Sequence, residues 1–324
     1  MIKSLSIIQE PINAEIKEFH KRFKQAMKSD FYFLDIVTNF IIRRKGKQMR
    51  PMFIFLSAKI CGEINNLTYH AANLIELLHT ATLIHDDVVD ESMQRRGFFS
   101  LNALWGNKIP VLVGDYLLSK GLLLSIEHNA FDLLKITSNA VKEMSEGELL
   151  QIVKARRLDI NEEIYFEIIR KKTASLIASA CASGAASTTK NQSEIQKMHT
   201  LGEKIGIAFQ IRDDLFDFGD GDAGKPQGND IQEKKMTLPL IQALNSSSKK
   251  RKNYIINIIK NENTNPKKIK EVTDFVLNSP GIEYARKMMY QYREEAYDLL
   301  NTFPSSPSRE SMKDLISYVT ERKK

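Results

Sequence analysis

The sequence predicts an all-α protein. Apolar residues recur three and four positions apart between short polar breaks along nearly the whole chain, which is the repeat of one helical face. Fifteen glycines and nine prolines in 324 residues fall well below the combined ordinary usage of about 12%, so sharp turns are few. Strand-like alternation bounded by Asn-Gly turns is missing, which removes the usual hairpin signal.

The spacing predicts helices over 12–27, 30–43, 51–60 and 67–95, the last apolar before it turns acidic. Ser100 suits the cap of a short helix, and Pro110 suits the first turn of the next, where a missing N–H costs nothing. Asn161, followed by Glu162 and Glu163, caps a helix expected to reach 187. Ser193-Glu-Ile-Gln196 reads as a capping box opening 194–218, with hydroxyl and amide satisfying two orphan N–H groups. A glycine-rich stretch over 219–230 follows, then helices near 231–245, 250–260, 267–278, 282–302 and 308–322. None of the breaks is long enough to divide domains, so one domain over 1–324 is expected.

Composition narrows the class further. With 42% hydrophobic and 27% charged residues, the chain has material for a core, and disordered and fibrous compositions are excluded. Cys61 and Cys181 share no Cys-x-x-Cys spacing, so neither a disulfide framework nor a sulfur-rich zinc site is expected, and a reducing cytoplasm is the simplest home. The opening residues carry Glu10, Glu15 and Glu18 instead of a signal-length apolar run. No membrane span is expected, because runs such as VLVGDYLLSKGLLLSI are broken by Asp115 and Lys120. The net charge of +7 suits nucleic acid, an anionic membrane or phosphate-bearing substrates. The basic clusters at 249–252 and 267–268 read first as solvated helix ends, with membrane-surface attraction as the lesser reading.

One short pattern occurs twice. Residues 84–91 read Ile-His-Asp-Asp-Val-Val-Asp-Glu and residues 211–218 read Ile-Arg-Asp-Asp-Leu-Phe-Asp-Phe. On a helix, Asp86, Asp87 and Asp90 fall at about 0°, 100° and 40°, and Asp213, Asp214 and Asp217 repeat that arc. Like charges at this spacing repel, and aspartate is a poor helix former, so nothing local recommends the arrangement. A cation would offset it. Carboxylate oxygens without clustered His or Cys suit a hard ion, and Mg²⁺ in particular takes one or two carboxylates together with water and phosphate oxygens.

Cations and polar groups fitted to phosphate accompany the triplets: Arg95 and Arg96 after the first, Lys172-Thr173 in mid-helix, and Gln210 just before the second. Gly46-Lys47-Gln-Met-Arg50-Pro51 can present two cations and backbone N–H groups to a second phosphate group. His79 lies seven residues before Asp86, about 20° away on the same stripe. The stretch GDGDAGKPQGND has Ile231, not Glu, at the twelfth position counted from Asp220, so it is not a calcium loop; a phosphate-covering flap bearing Lys225 fits better.

With these residues in view, the sequence resembles the trans-isoprenyl (polyprenyl) diphosphate synthases over most of 40–240. The carrying motifs are GKQMRP, IHDDVVDES with RRG, LWGNKIPVLVGDYLL, KKTASL, and FQIRDDLFDF with GKPQGND and TLPL. The resemblance implies the isoprenoid synthase fold, with ten or more helices around a deep central cavity, usually in a homodimer. It implies that Asp86, Asp87, Asp90, Asp213, Asp214 and Asp217 hold Mg²⁺, about three ions once substrate is bound. Arg95, Lys172, Thr173, Gln210, Lys225 and Lys235 would bind the allylic diphosphate. Gly46, Lys47, Arg50, His79 and Arg96 would bind isopentenyl diphosphate. Two departures from the pattern stand out: Phe98-Phe99 where a proline is common nearby, and Lys234-Lys235 in place of Gly-Lys.

The activity so implied is head-to-tail, trans condensation through an allylic carbocation, with no nucleic-acid partner and with weak membrane-surface association at product release. Small residues at Ala81 and Thr82, five and four positions before Asp86, suggest a deep tunnel and a C30 to C40 product suited to a quinone side chain. A terpene cyclase would not need the isopentenyl-binding set, and a helical phosphohydrolase needs more histidine than six scattered residues supply. A non-catalytic partner subunit would be expected to have lost one triplet.

Overall fold

The computed structural model describes residues 3–43, 48–90, 92–95, 98–219 and 228–321, the side chains of Gln94, Arg95 and Phe98 excepted. Among them the chain is helical from end to end, and the one sheet is a two-residue antiparallel ladder, Gln94–Arg95 with Phe98–Phe99. The helices Asn13–Ala26, Tyr32–Arg43, Met49–Cys61, Lys249–Asn261, Pro266–Leu277, Gly281–Asn301 and Pro307–Glu321 stand where the spacing predicts them.

Five differences have physical reasons. The helix expected over 67–95 runs Asn66–Val89 and ends on Asp90 as its cap, since carboxylates at a C-terminus oppose the helix dipole. Ser100 precedes the short Leu101–Trp105 helix but makes no side-chain cap; its hydroxyl donates to the Ser92 carbonyl instead. The Phe131–Arg157 helix has no counterpart in the predicted elements, because it starts without a capping residue and carries Ser138, Asn139 and Gly147 inside it. The 194–218 helix begins at Gln192, and its opening turn is held by Asn191, whose side chain accepts from the Ser193 N–H at 3.0 Å. The 231–245 segment is two helices, Asn229–Gln232 and Leu238–Asn245; Pro239 sits in the first turn of the second and cannot continue a helix arriving from upstream.

The chain divides into two compact units, Gln9–Asn139 with Ser179–Met198, and Met1–Ile8 with Ala140–Ala178 and His199–Lys324. In the first, Phe19, Phe53, Phe55, Leu74 and Ile75 form the centre. Every residue over 51–58 of the Met49–Cys61 helix is buried, the mark of a helix enclosed on all sides. The Asn66–Val89 helix starts from a capping box at Asn65 and packs along Lys108–Glu127. In the second unit, Ile207, Ile211 and Leu215 pack with Leu238, Ile241, Ile258, Val272 and Met289.

Among the described residues one helix, Lys108–Glu127, bears on the expected absence of a membrane span without overturning it. Its best window has a mean hydropathy of 1.5, so by length and composition it could cross a membrane despite Asp115 and Lys120. Val113, Leu117 and Gly121 face inward, while Leu112, Leu122, Leu123 and Ile126 are exposed. An apolar back as well as an apolar front raises the hydropathy.

In the first unit His70 stacks on His128, with ring centroids 3.6 Å apart. Burial, then the neighbouring His128 and Arg22, lowers the His70 imidazole to about 4. An unfolded histidine titrates near 6.5, so between those values the unfolded chain binds the extra proton. The stabilisation from this neutral ring is therefore complete above pH ~6.5 and is lost as pH falls toward 4. His70→Phe is expected to flatten the fall of unfolding free energy over that window, by about 1–2 kcal/mol after discounting for the half-exposed site. Identical pH profiles for the two proteins in calorimetry would refute this.

Candidate active site

The two acidic triplets fall one in each unit, and each is described in its own frame. In the first unit Asp86, Asp87 and Asp90 occupy the last turn of Asn66–Val89 and its cap, where the Asp90 N–H still bonds to the Asp86 carbonyl at 2.8 Å. Asp87 is buried, Asp86 half-buried and Asp90 exposed. His85 holds the turn to the neighbouring helix, its Nε2 lying 3.2 Å from the Val111 carbonyl and 3.5 Å from Asp115. His79 is buried upstream on the same helix, and Arg50 lies in the first turn of Met49–Cys61. Gly46, Lys47 and Arg96 lie outside the described residues, as does the Arg95 side chain, and Lys225 does so in the second unit.

The second unit assembles more of the predicted set. A cavity of about 200 Å³ is lined by Lys172, Thr173, Gln210, Asp214 and Lys235, together with Tyr165 and Asp230. A hydrogen-bonded row fixes its floor. Thr173 Oγ1 donates to Gln210 Oε1 at 2.8 Å, Gln210 Nε2 donates to Asp214 Oδ1 at 2.9 Å, and the Tyr165 hydroxyl donates to Asp214 Oδ2 at 2.6 Å. Asp217 turns toward the chain that follows, accepting from the N–H groups of Asn229 at 3.0 Å and Asp230 at 3.2 Å. That gives it a structural task beside the metal-binding one the resemblance implies.

Burial dominates the electrostatics here. It pushes the Asp214 carboxyl well above the usual carboxylate range, and the Asp230 charge adds to the shift while Tyr165 and Gln210 oppose it. It raises Asp217 against the pull of three backbone N–H groups. Asp230 is pushed up to about 7 by burial and then by the Asp217 charge, with Lys235 opposing. Carboxylates crowded out of water in this way gain most from a cation beside them.

Lys172 and Thr173 sit on a π-helical turn, Arg170–Ala174, inserted between the Glu162–Ile169 and Ser175–Ala186 helices. Such one-turn widenings re-aim side chains at the cost of poorer hydrogen bonds. Two glycines make room for it. A Cβ on Gly147 would stand 2.7 Å from the Lys172 backbone nitrogen, and one on Gly206 would stand 2.4 Å from the Ala174 Cα. Lys172 pairs with Glu148 and reaches Gln151 at 3.4 Å.

The Lys234-Lys235 departure also has a geometric reading. Lys234 has φ +57°, the left-handed region where glycine is the usual occupant and a lysine is strained by roughly 1–2 kcal/mol. The backbone is kept although the side chain is not glycine's. Lys235 then lies in the cavity wall and pairs with Glu233.

Tyr165, Glu148 and Gly147 are parts of the site that the sequence reading does not find. Asp230 lies inside a quoted motif but carries no predicted role. Among the described residues no three His, Cys, Asp or Glu side chains are gathered closely enough to hold a metal on their own. The donor set, carboxylate oxygens alone, fits Mg²⁺, which completes its shell with water and substrate phosphate.

Known proteins resemble this chain along most of its length. The polyprenyl synthetase family model matches residues 33–276. The chain is 34% identical over 317 residues to an all-trans-nonaprenyl-diphosphate synthase (geranyl-diphosphate specific) of Rhodobacter capsulatus, covering 96% of both chains. It is also 34% identical over 288 residues to a short chain isoprenyl diphosphate synthase of Methanothermobacter thermautotrophicus, covering 87% of this chain and 88% of that one. The crystal structure of a polyprenyl synthase of Caulobacter crescentus, complexed with calcium and isoprenyl diphosphate, superposes with a TM-score of 0.92 at 29% identity, covering 100% of this chain and 99% of the other. Twin aspartate triplets on an all-helical scaffold, a lysine and threonine aimed by a widened turn, and these likenesses together place the chain in the polyprenyl synthetase family, as a prenyl-transferring enzyme with the isoprenoid synthase fold.

Proposed function

We propose that this enzyme condenses isopentenyl diphosphate with an allylic diphosphate and repeats the step to a C30 to C40 product used as a quinone side chain. The observation that carries the prenyl-transfer part is the Thr173–Gln210–Asp214–Tyr165 row beside Lys172 and Lys235. It offers a cationic and hydroxyl lining for diphosphate directly next to buried carboxylates.

In this reading Lys172, Thr173, Gln210 and Lys235 hold the allylic diphosphate, with Arg95 and Lys225 completing its contacts. Gly46, Lys47, Arg50, His79 and Arg96 hold isopentenyl diphosphate. Mg²⁺ bound at Asp86, Asp87, Asp90, Asp213, Asp214 and Asp217, about three ions, would supply positive charge against the departing diphosphate. The carbon–oxygen bond breaks with its electron pair leaving on the diphosphate, and apolar walls keep water from the allylic cation. The alkene of isopentenyl diphosphate then forms the new carbon–carbon bond, and a proton passes from the adjacent carbon to the released diphosphate.

We assign the working form to a homodimer of one-domain chains, supported by the exposed Leu112, Leu122, Leu123 and Ile126 stripe. We assign it to the cytoplasm, a placement supported by Cys61 and Cys181, which are unpaired thiols pushed up to about 12 by burial and hence poor nucleophiles. Purified protein incubated with isopentenyl diphosphate, several allylic primers and Mg²⁺ tests both levels of the proposal. Absence of any elongated product rejects prenyl transfer, and products confined to C20 reject the chain length alone.

Product length gives a sharper test. Ala81 is fully buried in the Asn66–Val89 helix, one turn before the first aspartates. Ala81→Phe is expected to shorten the main product by at least one C5 unit, at a packing cost of about 1–3 kcal/mol. Chromatography showing the same product distribution from a folded variant would remove Ala81 from the tunnel wall.

A further inference from the structure

One segment of this protein carries an excess charge as large as that of the whole chain. Residues 249–270 hold eight Lys or Arg against Glu262 alone, which equals the +7 of the whole chain and leaves 39 side chains of each sign elsewhere. This segment covers the Lys249–Asn261 helix and the start of Pro266–Leu277, which pack together within the second unit. Lys249, Lys250, Lys260, Lys267 and Lys270 are exposed. The chief local acid, Glu271, is taken up by Lys268 at 3.0 Å and Arg251 at 3.6 Å.

The charge also sits where a helix tolerates it least. Neither helix has an acid in its first turn; Lys249 to Lys252 open one, and Lys267 and Lys268 open the other. Cations at an N-terminus oppose the helix dipole, and nothing in the fold requires lysine there, because the caps Ser248 and Asn265 close both helices already. An open cleft of about 590 Å³ beside them is walled by Arg251, Lys267 and Lys270 and by the acids Glu271 and Asp274, with Ser246, Ser247 and Asn278 as polar neighbours.

We propose that this basic helical pair is a docking surface for anionic phospholipid head groups of a bilayer. Charge complementarity is the argument: clustered lysines beside a membrane gain from its negative surface potential, and the gain falls off within a Debye length. A transferase whose product is a long prenyl chain also has a reason to release it at a bilayer. The docking itself stands on the charge distribution, so its test is independent of turnover.

The full chain is mixed with vesicles of phosphatidylcholine alone, or with one third phosphatidylglycerol, and sedimented at 0.05 and 0.5 M salt. Binding is expected only to the anionic vesicles, falling at least ~10-fold at the higher salt. Lys249→Gln/Lys250→Gln/Lys267→Gln/Lys270→Gln is expected to lower vesicle affinity at least ~30-fold, with unchanged circular dichroism and unchanged condensation of short soluble substrates. A double variant, Lys249→Gln/Lys250→Gln, should fall between the two. Equal binding to neutral vesicles, or undiminished binding by the folded quadruple variant, overturns the proposal. Duplex DNA binding as tightly as the vesicles and lost in the same variant overturns it too, since the patch would then read nucleic acid.

Discussion

Asp86→Ala and Asp213→Ala are each expected to lower turnover of the allylic diphosphate at least ~100-fold, a loss of about 2.7 kcal/mol of transition-state stabilisation. The helices should survive both changes. Asp86 is half-buried at the end of its helix, and alanine is the better helix former by several tenths of a kcal/mol. Removing Asp213 also relieves the charge that helps raise Asp214. The variants should therefore keep or gain thermal stability in metal-free buffer while losing the rise in melting temperature expected of the parent with Mg²⁺ and diphosphate. Calorimetry with and without the ion, beside steady-state rates, separates the cases. Near-normal turnover in either variant, or an undiminished metal-induced rise, contradicts the assignment of these carboxylates.

The second large effect comes from a residue that bears no functional group. Gly147→Ala introduces a methyl carbon 2.7 Å from the Lys172 backbone nitrogen and 2.9 Å from the Lys171 Cβ. Backbone has no flexible end to swing aside, so the Arg170–Ala174 turn or the Phe131–Arg157 helix must move by several tenths of an ångström. Lys172 and Thr173 move with it. Displacements approaching 1 Å at positioning residues lower rates by about 100-fold, and a fall of at least ~10-fold in kcat/KM is expected for the allylic substrate. Alanine's better helix propensity, worth about 1 kcal/mol at an unstrained site, should not appear as stabilisation. A variant with parental kcat/KM and a raised melting temperature would show that the turn does not depend on this contact.

How far the sequence discloses this molecule varies with the kind of information. Helices with an amphipathic stripe between polar breaks, such as Lys249–Asn261 and Pro266–Leu277, are legible from spacing alone, and the structure adds the caps Ser248 and Asn265. Phe131–Arg157 is not, because its stability comes from packing and its composition is indifferent. The aspartate triplets are legible as a pattern because the same spacing occurs twice on helices. Tyr165 is not: its bond to Asp214 spans 49 residues, and a lone tyrosine on an amphipathic helix looks like any core aromatic. The widened turn is invisible as well, since RKKTA reads as ordinary helix until Gly147 and Gly206 are seen pressing on it.

The hydrogen bonds around the second triplet tie Asp214 and Asp217 to different parts of the fold. A carboxylate has about four lone-pair directions, and both oxygens of Asp214 and of Asp217 already accept from protein donors. Any ion ligated through Asp217 must share it with the turn that starts Asn229–Gln232. Ion occupancy and the seating of that turn are then thermodynamically linked: whatever loosens one weakens the other by the same free energy. On this reading the second appearance of the motif would act as a latch, seating the turn at Asn229 as it takes up an ion.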